Sequence, residues 1–211
     1  FFARVFGVRV EENYHLIREV YEPLKPFEKR RAGKLSGGMK QKLALSCALI
    51  HEPEALFLDE PTTGVDAVSR KEFWDILYRI RERGVAILVA TPYMDEAARC
   101  DRLGLMQDGR LMVQGTPAEL IERYPHHLYA FRAPQAYLHL ELLRRHPQVH
   151  RAVLAGEAVH VSSLAPLDTD AMRQYLRAAG LTEFSFEPVQ PGIEDVFIAL
   201  TDQQAPQTTT A

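Results

Sequence analysis

Asp59 and Glu60 stand side by side directly after a short apolar run, Ala55-Leu56-Phe57-Leu58. Carboxylates leaving the carboxyl end of a buried strand lie where open α/β sheets bind ligands. One of the pair can hold Mg²⁺, usually through water, while the other polarises an attacking water. Taken alone, the dipeptide also fits an ordinary strand-to-loop exit. Upstream, Ser36-Gly37-Gly38 precedes a helical stretch. Backbone N–H groups at a helix start, bare of side chains, attract anions, and Ser36 adds a hydroxyl donor. By itself this triplet is equally an N-cap with turn glycines.

The elements that must position these residues are read from periodicity. Residues 1 to about 32 read as helical, broken by Pro23 and Pro26, and 38–51 as a second helix ending at Glu52-Pro53. The run at 55–58 is expected to be a strand buried on both faces, as in a parallel sheet. Residues 67–83 come next as an amphipathic helix with Phe73, Ile76, Leu77 and Ile80 on one side, Asp66 as N-cap and Gly84 as its stop. Residues 85–90 repeat the buried-strand pattern, and 95–99 suggest a short helix. Strands at 103–107 and 110–114 flank Asp108-Gly109, a hairpin turn, and Thr116-Pro117 opens a helix to about 124.

After Pro125 the order is strand 127–133, helix 135–146, strands 149–154 and 158–163, helix 169–179 and strand 184–190, then a last helix at 193–201. The first six form the split-βαβ, ferredoxin-like order. A domain boundary is therefore expected near 125, with a disordered tail over 203–211.

Composition narrows the class. The chain has 211 residues, 46% hydrophobic and 25% charged, with a net charge of -3. That balance gives no electrostatic case for nucleic acid, and the basic cluster Lys29, Arg30, Arg31 and Lys34 reads as a solvated face. Cys47 and Cys100 are far apart and outside any metal spacing, which favours a reduced compartment. His126, His127, His139, His146, His150 and His160 are expected to be separate surface residues, since their spacing puts them on no common face. No apolar run approaches the length of a membrane span. The opening Phe1-Phe2-Ala3-Arg4 reads like the middle of a helix, as expected of a piece of a longer protein.

The two stretches together are far more specific than either. "LSGGMKQ" followed by "ALFLDEPTTGVD" resembles the ATP-binding subunits of ABC transporters over roughly residues 1–124. The resemblance implies an α/β fold: a partial P-loop NTPase domain with mixed sheet and helical subdomain (1–124), then a small α+β ferredoxin-like domain (125–202). It implies that Leu35, Ser36, Gly37, Gly38 and Gln41 form the signature motif, which contacts the γ-phosphate of ATP on the opposite subunit. Leu56 to Asp59 are similar to the Walker B strand, with Asp59 on the Mg²⁺ side and Glu60 as catalytic base. Gly64, Val65 and Asp66 resemble the D-loop at the dimer interface. ATP and Mg²⁺ are the implied cofactors. A homodimer or second ATPase half and a multi-span membrane permease are the implied partners, and nucleic acid is not among them. The implied location is cytoplasmic, peripheral on the cytoplasmic face of the membrane.

Two departures stand out. No G-x-x-x-x-G-K-[ST] phosphate loop occurs in the 211 residues, so activity is expected of a full-length protein and not of this stretch alone. After strand 85–90 the family usually has Thr-His, whereas here Thr91 is followed by Pro92, which has no side-chain donor. Slow or partner-dependent hydrolysis is the expectation. The alternative is a degenerate half that completes a partner's ATP site without its own turnover. "TPYMDEA", "GTPAEL" and "PGIEDVFIALT" further resemble the drug-export-type subfamily.

Overall fold

The computed structural model describes residues 1–204. Its first compact unit covers Phe1–Pro92 and its second begins at Tyr93.

The first unit starts with α1 (Phe2–Val5) and α2 (Val10–Tyr21). The helical stretch expected to run from residue 1 to the break at Pro23 is also interrupted at Gly7, which adopts a left-handed φ of 70° and ends α1. Pro23 and Pro26 then confine residues Glu22–Phe27 to 3-10 geometry, because each proline lacks the N–H that an α-helix needs. Next come α3 (Gly37–Leu49), β1 (Ala55–Asp59), α4 (Ala67–Glu82) and β2 (Ala86–Ala90). Phe73, Ile76, Leu77 and Ile80 are all buried, so the 3.6-residue periodicity of α4 marks its inward face. Ile17, Val20 and Leu24 on one side, and Leu45, Leu49 and Ile50 on another, complete the apolar interior.

β1 and β2 pair in parallel, with Leu56 opposite Ile87 and Asp59 opposite Ala90. The expectation of burial on both faces fails. Phe57 is 78% and Leu88 63% exposed, since among the described residues no further strand pairs with either and α4 covers one face only. The sequence pattern reports what a strand is suited to, and burial depends on what is packed against it.

The second unit opens with α5 (Met94–Ala97), β3 (Leu103–Gln107), β4 (Arg110–Gly115) and α6 (Pro117–Glu122). Asp108 and Gly109 both have positive φ, 49° and 73°, the backbone that a two-residue hairpin turn requires. Thr116 caps α6 through a reciprocal box: its hydroxyl accepts from Glu119 N–H at 3.2 Å, and the Glu119 carboxylate accepts from Thr116 N–H at 2.8 Å. That backbone hydrogen bond holds the Glu119 carboxyl below its ordinary pKa, as a bond from Ser69 does for Asp66. A lowered folded-state pKa stabilises above the unfolded carboxylate pKa, about 4, and the contribution disappears as pH falls through the folded value. Melting temperature is thus expected to fall on acidification below about pH 4, with a shallower fall in Glu119→Gln; identical acid limbs would show that the cap contributes nothing.

β5 (His127–Arg132), α7 (Leu140–Arg144), β6 (Arg151–Ala155), β7 (Ala158–Ser163), α8 (Thr169–Ala178), β8 (Ser185–Pro188) and α9 (Ile193–Gln204) complete the chain. The four strands form one antiparallel-paired sheet in the order β6-β7-β5-β8. That is the split-βαβ arrangement read from the element order. Its core gathers Phe131, Val159, Val161, Phe186, Leu143, Met172 and Leu176.

α9 packs elsewhere: Ile193 and Val196 join Leu105 and Leu120 in a separate apolar cluster. Residues 93–124, assigned by resemblance to the first domain, therefore cluster in space with the C-terminal part of the chain. The boundary near 125 stays a proposal about domain ancestry. The helix also runs through Gln203 and Gln204, where a disordered tail was expected; residues 205–211 lie outside the described residues.

Candidate functional site

Parallel pairing brings two chain segments to one sheet edge. Asp59 and Glu60 lie at the carboxyl end of β1, and Ala90, level with Asp59 at the end of β2, leads directly into Thr91 and Pro92. Asp59 and Glu60 are both exposed. Glu60 takes a left-handed φ of 43°, uncommon for a residue with a side chain. Its N–H donates to Ala90 O at 2.8 Å, which ties the turn to the neighbouring strand. Thr63 N–H donates to Glu60 O at 3.1 Å and the Thr63 hydroxyl to Glu60 Oε2 at 3.0 Å. The carboxylate is thereby oriented from below while remaining open to solvent. Pro61 and Thr62, buried at the centre of this turn, fix the path.

Val65 N–H then donates to Thr62 O at 3.1 Å, and Gly64 takes a φ of 73°. These consecutive turns deliver Asp66 to the start of α4, where its carboxylate accepts from Ser69 N–H at 2.9 Å. Asp66 is thus occupied as an N-cap and exposed. Ser36 plays the same part for α3, accepting from Met39 N–H at 3.3 Å. A serine hydroxyl can also donate, and the first N–H groups of an α-helix have no intrahelical partner. Leu35 and Gln41 are half-buried, Gly37 is exposed and Gly38 is buried.

The structure therefore gathers Asp59, Glu60 and Thr91 at one edge. It also sets Gly37 and Gly38 against the 64–69 segment. Ideal Cβ atoms built on Gly37 and Gly38 would lie 2.8 Å from Gly64 O and 2.8 Å from Ser69 Cβ. Sequence reading assigned the glycines to an approaching anion and missed this packing role, which depends on a contact some 30 residues away.

Mg²⁺ keeps several waters and takes one or two carboxylates plus substrate phosphates. A single exposed Asp59 carboxylate, a hard oxygen donor, fits that requirement. Among the described residues no group of three or more His, Cys, Asp or Glu forms an all-protein metal site.

The histidines depart from expectation. His126, His150 and His160 line one small cavity with Asp195, because β7, which carries His160, pairs with both β5 and β6, and His126 and His150 immediately precede those two strands. His160 Nδ1 is 2.7 Å from Asp195 Oδ1, and the rings of His126 and His150 are 4.9 Å apart. Burial, then His150, lowers the His126 pKa. Burial, then the Asp195 charge, pushes Tyr124 up to about 12. Cross-strand register, invisible to helical-face spacing, is what gathers them.

A parallel strand thus ends in paired carboxylates, and the turns after it pack against the glycine-fronted start of α3. The family model described as "ABC transporter" matches residues 9–63. The chain is 38% identical over 183 residues to the probable multidrug ABC transporter ATP-binding protein YbhF of Escherichia coli (strain K12), covering 85% of this chain and 31% of that protein. It is 35% identical over 212 residues to the Nod factor export ATP-binding protein I of Rhizobium sp. (strain N33), covering 96% of this chain and 66% of that one. A solved ATP binding subunit of an ABC transporter overlays with a TM-score of 0.49 at 25% identity, over 58% of this chain and 52% of that one. The chain belongs to the ATP-binding subunits of ABC transporters, and its fold is of the α/β P-loop NTPase type. It spans about a third of the first relative's length and 66% of the second's.

Proposed function

We propose that the whole protein of which this chain is part binds and hydrolyses ATP as the energy-coupling subunit of an ABC export transporter. The observation that carries this reading is the Asp59-Glu60 pair held at the sheet edge beside Thr91 and Pro92. Export is supported by the relatives, named for multidrug and Nod factor export. The reading places the protein on the cytoplasmic face of a membrane beside a permease; among the described residues no helix is long and apolar enough to cross one.

In this reading Asp59 would hold Mg²⁺ through water, and the ion would neutralise charge on the phosphate oxygens. The exposed Glu60 carboxylate takes a proton from a water as its oxygen bonds to the γ-phosphorus. The bond to the bridging oxygen breaks and ADP leaves. The left-handed Glu60 backbone and the Thr63 hydroxyl bond hold the carboxylate in place, so no rotamer search precedes proton transfer. Ser36 and the first-turn N–H groups of α3 would face the γ-phosphate on a second subunit, and Asp66 and Gly64 would lie at that dimer interface. Leu35 and Gln41 would complete the same motif.

Pro92 removes the side-chain donor that Thr-His would supply. Steady-state hydrolysis by the whole protein is expected below about 1 s⁻¹, the low end for enzymes. Pro92→His is expected to raise it by about tenfold to a hundredfold, within what one transition-state hydrogen bond supplies. No gain on Pro92→His would favour a half that completes a partner's site without turnover. A wild-type protein that neither binds nor hydrolyses ATP would remove the reading altogether.

A further inference from the structure

The seam between α3 and α4 assigns a role to a residue outside the expected motifs. A Cβ on Gly38 would meet Ser69 Cβ at 2.8 Å and Ser69 Oγ at 2.9 Å, with Val65 Cγ1 at 3.7 Å behind. Non-bonded carbons are best placed at about 3.5–4.0 Å, so even one methyl group does not fit. Gly37 meets the same limit on the backbone side, at Gly64 O. Lys42 and Glu72, 2.7 Å apart, bridge the two helices one turn further along. Ser69 is itself fixed, since its N–H donates to the Asp66 carboxylate.

We infer that Ser69 is a positioning residue that sets how closely the phosphate-facing end of α3 approaches the 64–66 turn, so that the two act as one rigid piece at the dimer interface. This rests on the proposed reading of α3 as facing ATP on a second subunit. Side-chain volume at 69 then determines where the Ser36–Gly38 donors lie. A bulkier residue tilts α3 outward by its first turn and leaves the Glu60 edge untouched. The missing side chains answer two demands: exposed Gly37 leaves room for the anion from outside, and buried Gly38 leaves room for Ser69 from inside.

The two demands separate in a paired substitution. The test uses the whole protein carrying Glu60→Gln, with Mg²⁺ and ATP, and reads the ATP concentration for half-maximal dimer by sedimentation, together with the melting temperature. Gly38→Ala is expected to raise that concentration about tenfold or more, reflecting overpacking. Adding Ser69→Gly to the same chain vacates the clashing Cβ and is expected to restore it to within about threefold, with recovery of the melting temperature. Equal losses in the single and double variants would overturn the inference. If Gly38→Ala does not fold, Ser69→Thr presses one more methyl on the same contact and is expected to raise the concentration about threefold; an unchanged value overturns it. If the parent forms no ATP-dependent dimer, the proposed function fails, while recovery of melting temperature in the double variant still decides whether Ser69 sets the seam.

Discussion

Glu60→Gln in the whole protein is expected to lower ATP turnover by about 10²–10⁴-fold, the range for losing a positioned general base. ATP binding is expected to survive, because glutamine keeps the size and the Thr63 contact while losing the proton-accepting charge. The geometry makes the prediction sharp. Glu60 is exposed, bound by Thr63 at 3.0 Å and held in a left-handed backbone by its N–H bond to Ala90. In the proposed reading Asp59 would be committed to the ion, and Pro92 has no side-chain proton chemistry. Thr63→Ala, which frees the carboxylate without neutralising it, is expected to cost only a few-fold. Turnover measured with purified protein decides the matter; a Glu60→Gln variant that hydrolyses ATP within about tenfold of wild type would place the base elsewhere.

The second large effect concerns stability. Phe131 is fully buried on the interior strand β5, its ring 6.1 Å from Phe184 and 5.9 Å from His139. Phe131→Ala is expected to cost about 3–5 kcal/mol, a large share of the roughly 5–15 kcal/mol typical of a domain. β5 pairs with both β7 and β8, so a cavity there weakens both ladders. Hydrogen exchange should show β5, β7 and β8 amides losing protection together. A loss under about 1 kcal/mol in denaturant titration would mean that this core is not packed as described.

Much of the architecture was legible from local signals. Thr116-Pro117 opens α6 because a hydroxyl cap and a fixed proline φ favour a helix start, and Asp108-Gly109 turns because both residues accept positive φ. The order of elements after residue 125 pointed to a split-βαβ arrangement without any long-range information, and the sheet order β6-β7-β5-β8 agrees with it. The Asp59-Glu60 pair was found because chemistry and strand end coincide in sequence. What escaped was set by contacts distant along the chain. Phe57 and Leu88 look like core residues and stand exposed. Gly38 looks like a pure anion site and is also a packing contact with Ser69. His126, His150 and His160 look scattered and converge through strand register. The helical run read up to Pro23 breaks already at Gly7, because one left-handed residue outweighs the flanking apolar spacing.

The position of α9 has a consequence for the order of events during synthesis. Leu105 and Leu120 find partners in Ile193 and Val196, and Asp195 reaches back to His160. The hairpin and α6 must therefore wait for more than seventy further residues before their apolar side is covered. At a translation rate of about 5–20 residues per second, that interval is roughly 4–15 s, far longer than a hairpin needs to form. During it, Leu105 and Leu120 are exposed on an otherwise formed piece of chain, the condition under which a nascent protein engages chaperones or its neighbours on a polysome. The last helix thus acts as the closing step of its unit, and changes to its apolar face should reduce the yield of folded protein before they alter any property of the molecules that do fold.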